Sequence, residues 1–171
     1  MHRRAVCRGE AIPRATHATR PYETPAERYR RQLAEVTRAG VKWKKKKIMN
    51  QREFDLFSAA VAVIEQRRSG YVFPQVSLGE TIGCDDDDAY HSINTRRCDL
   101  LLTDDDRVPL AVLEYQGSGH NLDGYAKQRD AVKREALKRA DLRYVAVRAN
   151  ASNDEMNQIV RQVFNLAERA A

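Results

Sequence analysis

A mixed α/β fold is predicted by three features of the chain. NQREFDLFSAAVAVIEQ and SNDEMNQIVRQVFNLAERAA repeat apolar residues at spacings of three and four behind a capping pattern, which marks amphipathic helices. Between them, CDLLL, PLAVLEYQ and RYVAVR are rich in branched and aromatic residues and are bounded by turn residues, which marks strands. Charge separates this α/β body from what precedes it. Met1 to Ile48 hold 14 Lys and Arg against 4 Glu, and the rest holds 16 basic against 20 acidic residues, so a basic N-terminal arm at 1–48 precedes a body at 49–171.

The whole chain has 171 residues and a net charge of +6, the profile of one soluble domain. At that size roughly 70% of the unfolded surface can be buried, so neither disulfides nor a structural metal is needed to fold. Cys7, Cys84 and Cys98 match no disulfide or zinc spacing. Leu56 to Ile64 is the longest uncharged apolar run, 9 residues where a bilayer span needs about 20. The first residues form no secretory signal, so a cytoplasmic location and no membrane partner are expected.

Residues 1 to 23 bear Pro13, Pro21 and few large apolar groups, a composition that stays mobile. Thr24, Pro25 and Glu27 then open a helix that Gly40 can end, with a thin apolar face of Tyr29, Leu33 and Val36. Lys42, Trp43, Lys44, Lys45, Lys46 and Lys47 follow. Clustered lysines suit phosphate-backbone contacts and Trp43 suits stacking on an unpaired base. A solvated linker whose Trp packs on the body is the alternative.

In the body, Asn50 and Glu53 cap a helix whose inward face reads Phe54, Phe57, Val61 and Ile64. Gly70 ends it. YVFPQVSL is a short strand that Pro74 confines to an edge. Cys84 to Ser92, with four aspartates, reads as a loop holding at most one helical turn.

RRCDLLLTDDDRVPLAVLEYQG reads as a hairpin centred between Asp106 and Arg107. That centre sets Thr103 opposite Leu110, Leu101 opposite Val112 and Asp99 opposite Glu114. Alternation then gathers Cys98, Leu100, Leu102, Ala111, Leu113 and Tyr115 on one apolar face, and Arg97, Asp99, Glu114 and Gln116 on the other. Two carboxylates paired across strands have Cβ atoms about 5 Å apart and repel. Either Arg97 or a divalent cation, typically hydrated Mg²⁺, offsets that repulsion.

GSGHNLDG is a Gly-rich loop bearing His120, without a phosphate-loop pattern. A helix from about Asp123 to Ala140 turns Tyr125, Val132, Ala136, Leu137 and Ala140 inward. Its other side offers Lys127, Gln128, Asp130, Lys133 and Arg134, with Asp130 and Arg134 spaced for an ordinary ion pair. RYVAVR is a strand. The closing helix, capped by Ser152 and Glu155, buries Met156, Ile159, Val160, Val163 and Leu166.

The order helix, edge strand, hairpin, helix, strand, helix, with MNQREFDLF, YVFPQVSL, SINTRRCDLLL, PLAVLEYQGSGH and QRDAVKREAL, resembles the bacterial family DUF2726 over Ile48 to Arg148. That family is similar to the PD-(D/E)XK nuclease superfamily. The resemblance implies a restriction-endonuclease-like core, a central mixed sheet flanked by helices. It implies that Asp99 and Glu114 are the motif acids, with Gln116 where a lysine is usual, and that Glu53, His120 and Asp130 match recurring polar positions. Arg97 and Lys127 are then the candidate cations replacing that lysine.

The expected function is Mg²⁺- or Mn²⁺-dependent hydrolysis of phosphodiesters in DNA. Asp99 and Glu114 would bind the metal with Glu53 extending the site, Gln116 would position water, and His120 would assist as acid, base or phosphate contact. Two alternatives belong to other classes: a nuclease fold that only binds nucleic acid through its basic arm, and an interaction module of a larger DNA-processing complex.

Overall fold

The computed structural model describes residues 23–117 and 126–169, the side chains of 126 and 127 excepted. Residues 1–22, on which the mobile-arm reading falls, lie outside it. Tertiary contacts divide the chain into two units, Met1–Lys45 and Lys46–Ala171.

In the first unit, α1 spans Pro25–Thr37 behind a complete capping box between Thr24 and Glu27. It ends at Thr37, and Gly40 at φ +85° makes the turn that follows. Tyr29, Leu33 and Val36 are exposed. Trp43 Nε1 donates to the Val36 carbonyl at 3.1 Å, and the residue is 73% exposed.

The second unit runs α2 (Gln51–Arg67), β1 (Tyr71–Pro74), a 3₁₀ turn (Leu78–Glu80), α3 (Asp87–Ile93), β2 (Leu100–Thr103), β3 (Pro109–Gln116), α4 (Ala126–Arg139), β4 (Arg143–Arg148) and α5 (Asn153–Glu168). One sheet has the order β1-β2-β3-β4. β1, β2 and β3 pair antiparallel and β4 joins β3 in parallel, so the predicted α/β class and mixed sheet are both present. The parallel step needs a long crossover, which α4 supplies. Among the described residues, no helix is long and apolar enough to cross a membrane.

Both sheet faces are covered. Leu100, Leu102, Ala111 and Leu113 pack with α2 and α5, while Leu101 and Val112 pack with Leu137 of α4 and with Leu78 and Ile93. The β2–β3 register follows the expected pairing at Leu100 with Leu113, Leu101 with Val112 and Leu102 with Ala111. A bulge then sets Thr103 against Pro109 rather than Leu110. Its cause is the tight turn, where Arg107 adopts φ +67° and the Val108 amide donates to Asp104 Oδ1 at 2.8 Å.

Three helix faces differ from the sequence reading. The core of α2 is Leu56, Ala59, Ala60 and Val63, with Phe57 and Ile64 flanking it and Phe54 49% exposed. Two alanines let the helix lie close to its neighbours, and the bulkier stripe is turned aside. On α5, Phe164 is buried and Leu166 exposed. Among the described side chains of α4 only Leu137 is fully buried, with Ala136 partly so, while Val132 and, just past the helix, Ala140 are exposed. The acidic loop also holds more helix than expected, because Asp86 caps α3 by accepting from the Ala89 amide at 2.7 Å.

Gly70 is required by its surroundings. At φ +87° a Cβ would stand 2.6 Å from Phe164 and 2.7 Å from the Thr103 carbonyl. Its amide donates to Asp105 Oδ1 at 2.6 Å, tying the α2–β1 turn to the hairpin turn.

Candidate functional site

Leu113 points to α2 and α5, so the next residue, Glu114, points to the α4 side of the sheet. β2 begins only at Leu100. The next amide of β3 on that side, Tyr115 N–H, donates to Asp99 Oδ2 at 2.8 Å in place of a ladder carbonyl. Asp99 thereby ends the pairing with its side chain and brings its carboxylate beside Glu114. The bend at Asp99 also breaks the alternation, so Cys98 is buried with Leu101 and Val112 rather than beside Leu100. For the same reason Arg97 bridges Ser77 rather than standing opposite Gln116.

Asp99 and Glu114 line a cleft of ≈ 430 Å³ together with Glu53, Arg97, Asp130 and Lys133. Lys133 sits one helical turn before the buried Leu137, so its side chain is carried toward the sheet. Its Nζ donates to Glu114 Oε1 at 2.6 Å and to the Arg97 carbonyl at 2.8 Å. Both partners are shielded, with side chains 12% and 10% exposed.

Burial pushes the Glu114 carboxyl up to about 7; Lys133 opposes the rise, and the charges of Asp99 and Asp130 add to it. Burial, with the charge of Glu114, also pushes the Cys98 thiol up to about 12, which keeps it protonated and inert near neutrality.

A pH dependence of stability follows. The folded carboxyl holds its proton up to about 7, whereas an ordinary one releases it at 4.5. Between those values the unfolded chain has lost a proton that the folded chain keeps, so raising the pH favours unfolding. The contribution is complete below 4.5 and gone above 7, roughly 3 kcal/mol in all. Urea unfolding of the metal-free protein across that window should show it, and Glu114→Gln should flatten it. Equal slopes in the two proteins would count against the burial.

Both Glu53 oxygens are engaged by Asn50, Oε2 by its amide at 3.0 Å and Oε1 by its Nδ2 at 2.7 Å, so the capping use is realised at the rim of the cleft. Gln116 is half-buried, pairs with Arg148 across β3–β4 and is not part of the cleft lining. Arg134 places its guanidinium 4.6 Å from the Tyr144 ring centroid, while Asp130 turns to the cleft. The five lysines from Lys42 to Lys47 are exposed. His120 lies outside the described residues, as does the side chain of Lys127.

Among the described residues, no three His, Cys, Asp or Glu side chains group closely enough to hold a metal ion. Two hard carboxylates nevertheless match the donor set of Mg²⁺, which commonly takes one or two from protein and completes its octahedron with water or phosphate. A larger groove of ≈ 760 Å³, lined by Leu110, Arg134, Lys138 and Arg143 among others, contains neither carboxylate. Lys133 is the residue that sequence reasoning does not single out, being one of five polar positions on its helix. Its spacing of four from Leu137 and three from Asp130 is the available signal.

A family described as "Protein of unknown function (DUF2726)" matches residues 45–166. An uncharacterised protein of Haemophilus influenzae (strain ATCC 51907 / DSM 11121 / KW20 / Rd) is 37% identical over 116 residues, 67% of this chain and 60% of that protein. The uncharacterised protein y4bI of Sinorhizobium fredii (strain NBRC 101917 / NGR234) is 41% identical over 98 residues, 57% of this chain and 70% of that protein. The match thus spans less than two thirds of the Haemophilus protein's length. No solved structure matches the chain.

Proposed function

The chain belongs to the DUF2726 family, and from the geometry of its cleft we propose that it is a metal-dependent nuclease-like protein with a restriction-endonuclease-like core of the PD-(D/E)XK kind, hydrolysing phosphodiester bonds in DNA. One observation carries this reading: the end of β2, the strand β3 and the helix α4 bring Asp99, Glu114 and Lys133 to one cleft. Mg²⁺ or Mn²⁺ held by the two carboxylates would polarise a phosphate and lower the pKa of a bound water.

The chain's own residues do the rest. Lys133 presents a cation beside Glu114, where Gln116 offers only a neutral amide. Held by the Arg97 carbonyl as well, its ammonium is oriented before substrate arrives, so it stabilises developing phosphate charge without reorganising. Arg96, Arg97 and Arg129 on the cleft wall attract the phosphate backbone. The direct test is cleavage of single- and double-stranded DNA and RNA by the purified protein with and without Mg²⁺ or Mn²⁺. Absence of metal-dependent cleavage and of calorimetric metal binding would remove the reading.

A second reading, a nucleic-acid-binding module without catalysis, is favoured by the same ion pair, since Lys133 already offsets the charge of Glu114. Both readings assign the exposed lysines to phosphates. Replacing Lys42, Lys44, Lys45, Lys46 and Lys47 by Gln should weaken binding to duplex DNA and lower the log-log salt slope by about 0.9 for each phosphate left unneutralised. An unchanged slope would make the run a passive linker.

A further inference from the structure

We propose that the cleft receives a single-stranded polynucleotide whose bases stack on Tyr71 and Phe73. The proposal rests on the nuclease reading only for what happens at the phosphate; the stacking surface is separate. In β1, Val72 is packed against the α2 and α5 core, so Tyr71 and Phe73 project from the opposite face, the one that carries Glu114. Both residues are exposed, 48% and 39%, and their ring centroids stand 6.3 Å apart at a 41° tilt.

Edge strands usually carry charge or proline where they meet water. Two neighbouring aromatic rings there leave apolar surface wet, and Pro74 beside them cannot donate to an added strand. This edge therefore offers ring faces more readily than backbone pairing. Its position joins it to the cleft. The Gln75 amide donates to the Asp99 carbonyl at 2.9 Å, so Phe73 is two residues and Tyr71 four residues from the backbone that carries the first carboxylate. Along a strand that is about 7 and 13 Å.

Successive bases of a stretched strand can reach both rings while the next phosphate enters the cleft beside Arg96 and Arg97. In a duplex the base faces are already stacked on one another, so only an unpaired strand can use the rings.

The test is fluorescence anisotropy of the full chain with a labelled single-stranded oligodeoxynucleotide and with the blunt duplex made from it. EDTA prevents hydrolysis, and raised salt suppresses the contribution of the lysine run. The expected result is a preference for the single strand. Tyr71→Leu and Phe73→Leu should each weaken that binding by roughly 5- to 100-fold and leave duplex binding unchanged. Tyr71→Trp and Phe73→Trp should retain it, which separates stacking from folding because leucine keeps the apolar bulk. Equal affinity for the two forms, or wild-type binding by both leucine variants, overturns the proposal. Cleavage confined to duplex DNA overturns it while sparing the nuclease reading. Ring-dependent single-strand binding with no cleavage of any nucleic acid does the reverse.

Discussion

Lys133→Met is expected to lower metal-dependent cleavage by about 10²-fold or more, the usual cost of deleting one preorganised group that meets developing charge. Methionine keeps the length of the side chain and its packing next to Leu137, so the loss would report the ammonium. Gln116→Ala, at a residue outside the cleft lining, should change the rate by less than about threefold, in contrast to a motif position that held the catalytic cation. Gln116→Lys adds a second cation on the Glu114 face of β3. It should matter little in the wild type and recover part of the rate in the Lys133→Met protein. Full activity in Lys133→Met alone would take the cation away from α4 and return the question to the other candidates.

Glu114→Ala is expected to abolish cleavage and to destabilise the fold by about 3–5 kcal/mol, because it strands the shielded Lys133 ammonium without its carboxylate. The double variant Glu114→Ala, Lys133→Met should regain most of that stability and none of the activity. Urea unfolding of the four proteins closes the cycle, and additive losses would show that the two groups do not depend on each other. Unlike the rate measurements, this cycle is independent of any nuclease activity, so it tests the geometry by itself.

Much of the fold is legible in the sequence because local rules and burial agree in it. Asn50 with Glu53 and Ser152 with Glu155 form the capping boxes that their spacing predicts. The Leu100–Leu113 register is the one that the turn-centred hairpin predicts, although both alternating sets, Leu100 with Leu102 and Leu101 with Val112, are buried. Pattern and structure part where a single residue resets the geometry. Asp99 ends β2 with its side chain and moves Cys98 and Arg97 from their predicted faces. The stripe of α2 differs because periodicity weighs Phe54 above Ala60, whereas close approach to neighbouring elements favours the small residue. Of the candidate site, the nearness of Asp99 to Glu114 is readable from the hairpin register, although the ladder stops at Leu100 and Asp99 reaches the cleft from a bend rather than as a strand pair. Lys133 is not readable, because its role depends on how α4 docks on the sheet, and no pattern within fourteen helical residues encodes a partner 19 positions upstream.

The parallel pairing of β4 with β3 also sets an order of events. β2 and β3 join through a hairpin whose paired residues are close in sequence, whereas β1 reaches β2, and β4 reaches β3, across much longer stretches of chain, and the Glu114–Lys133 contact waits until α4 has docked on the sheet. Loop-closure entropy delays such contacts, so the β2–β3 hairpin should consolidate early and the β3–α4–β4 crossover late. Folding kinetics of conservative truncations would read this directly: Leu102→Ala should slow refolding, while Leu137→Ala should chiefly speed unfolding. The two carboxylates would then meet their cation only in the last stage of folding, so a partly folded chain would carry the acidic pair without its counter-charge.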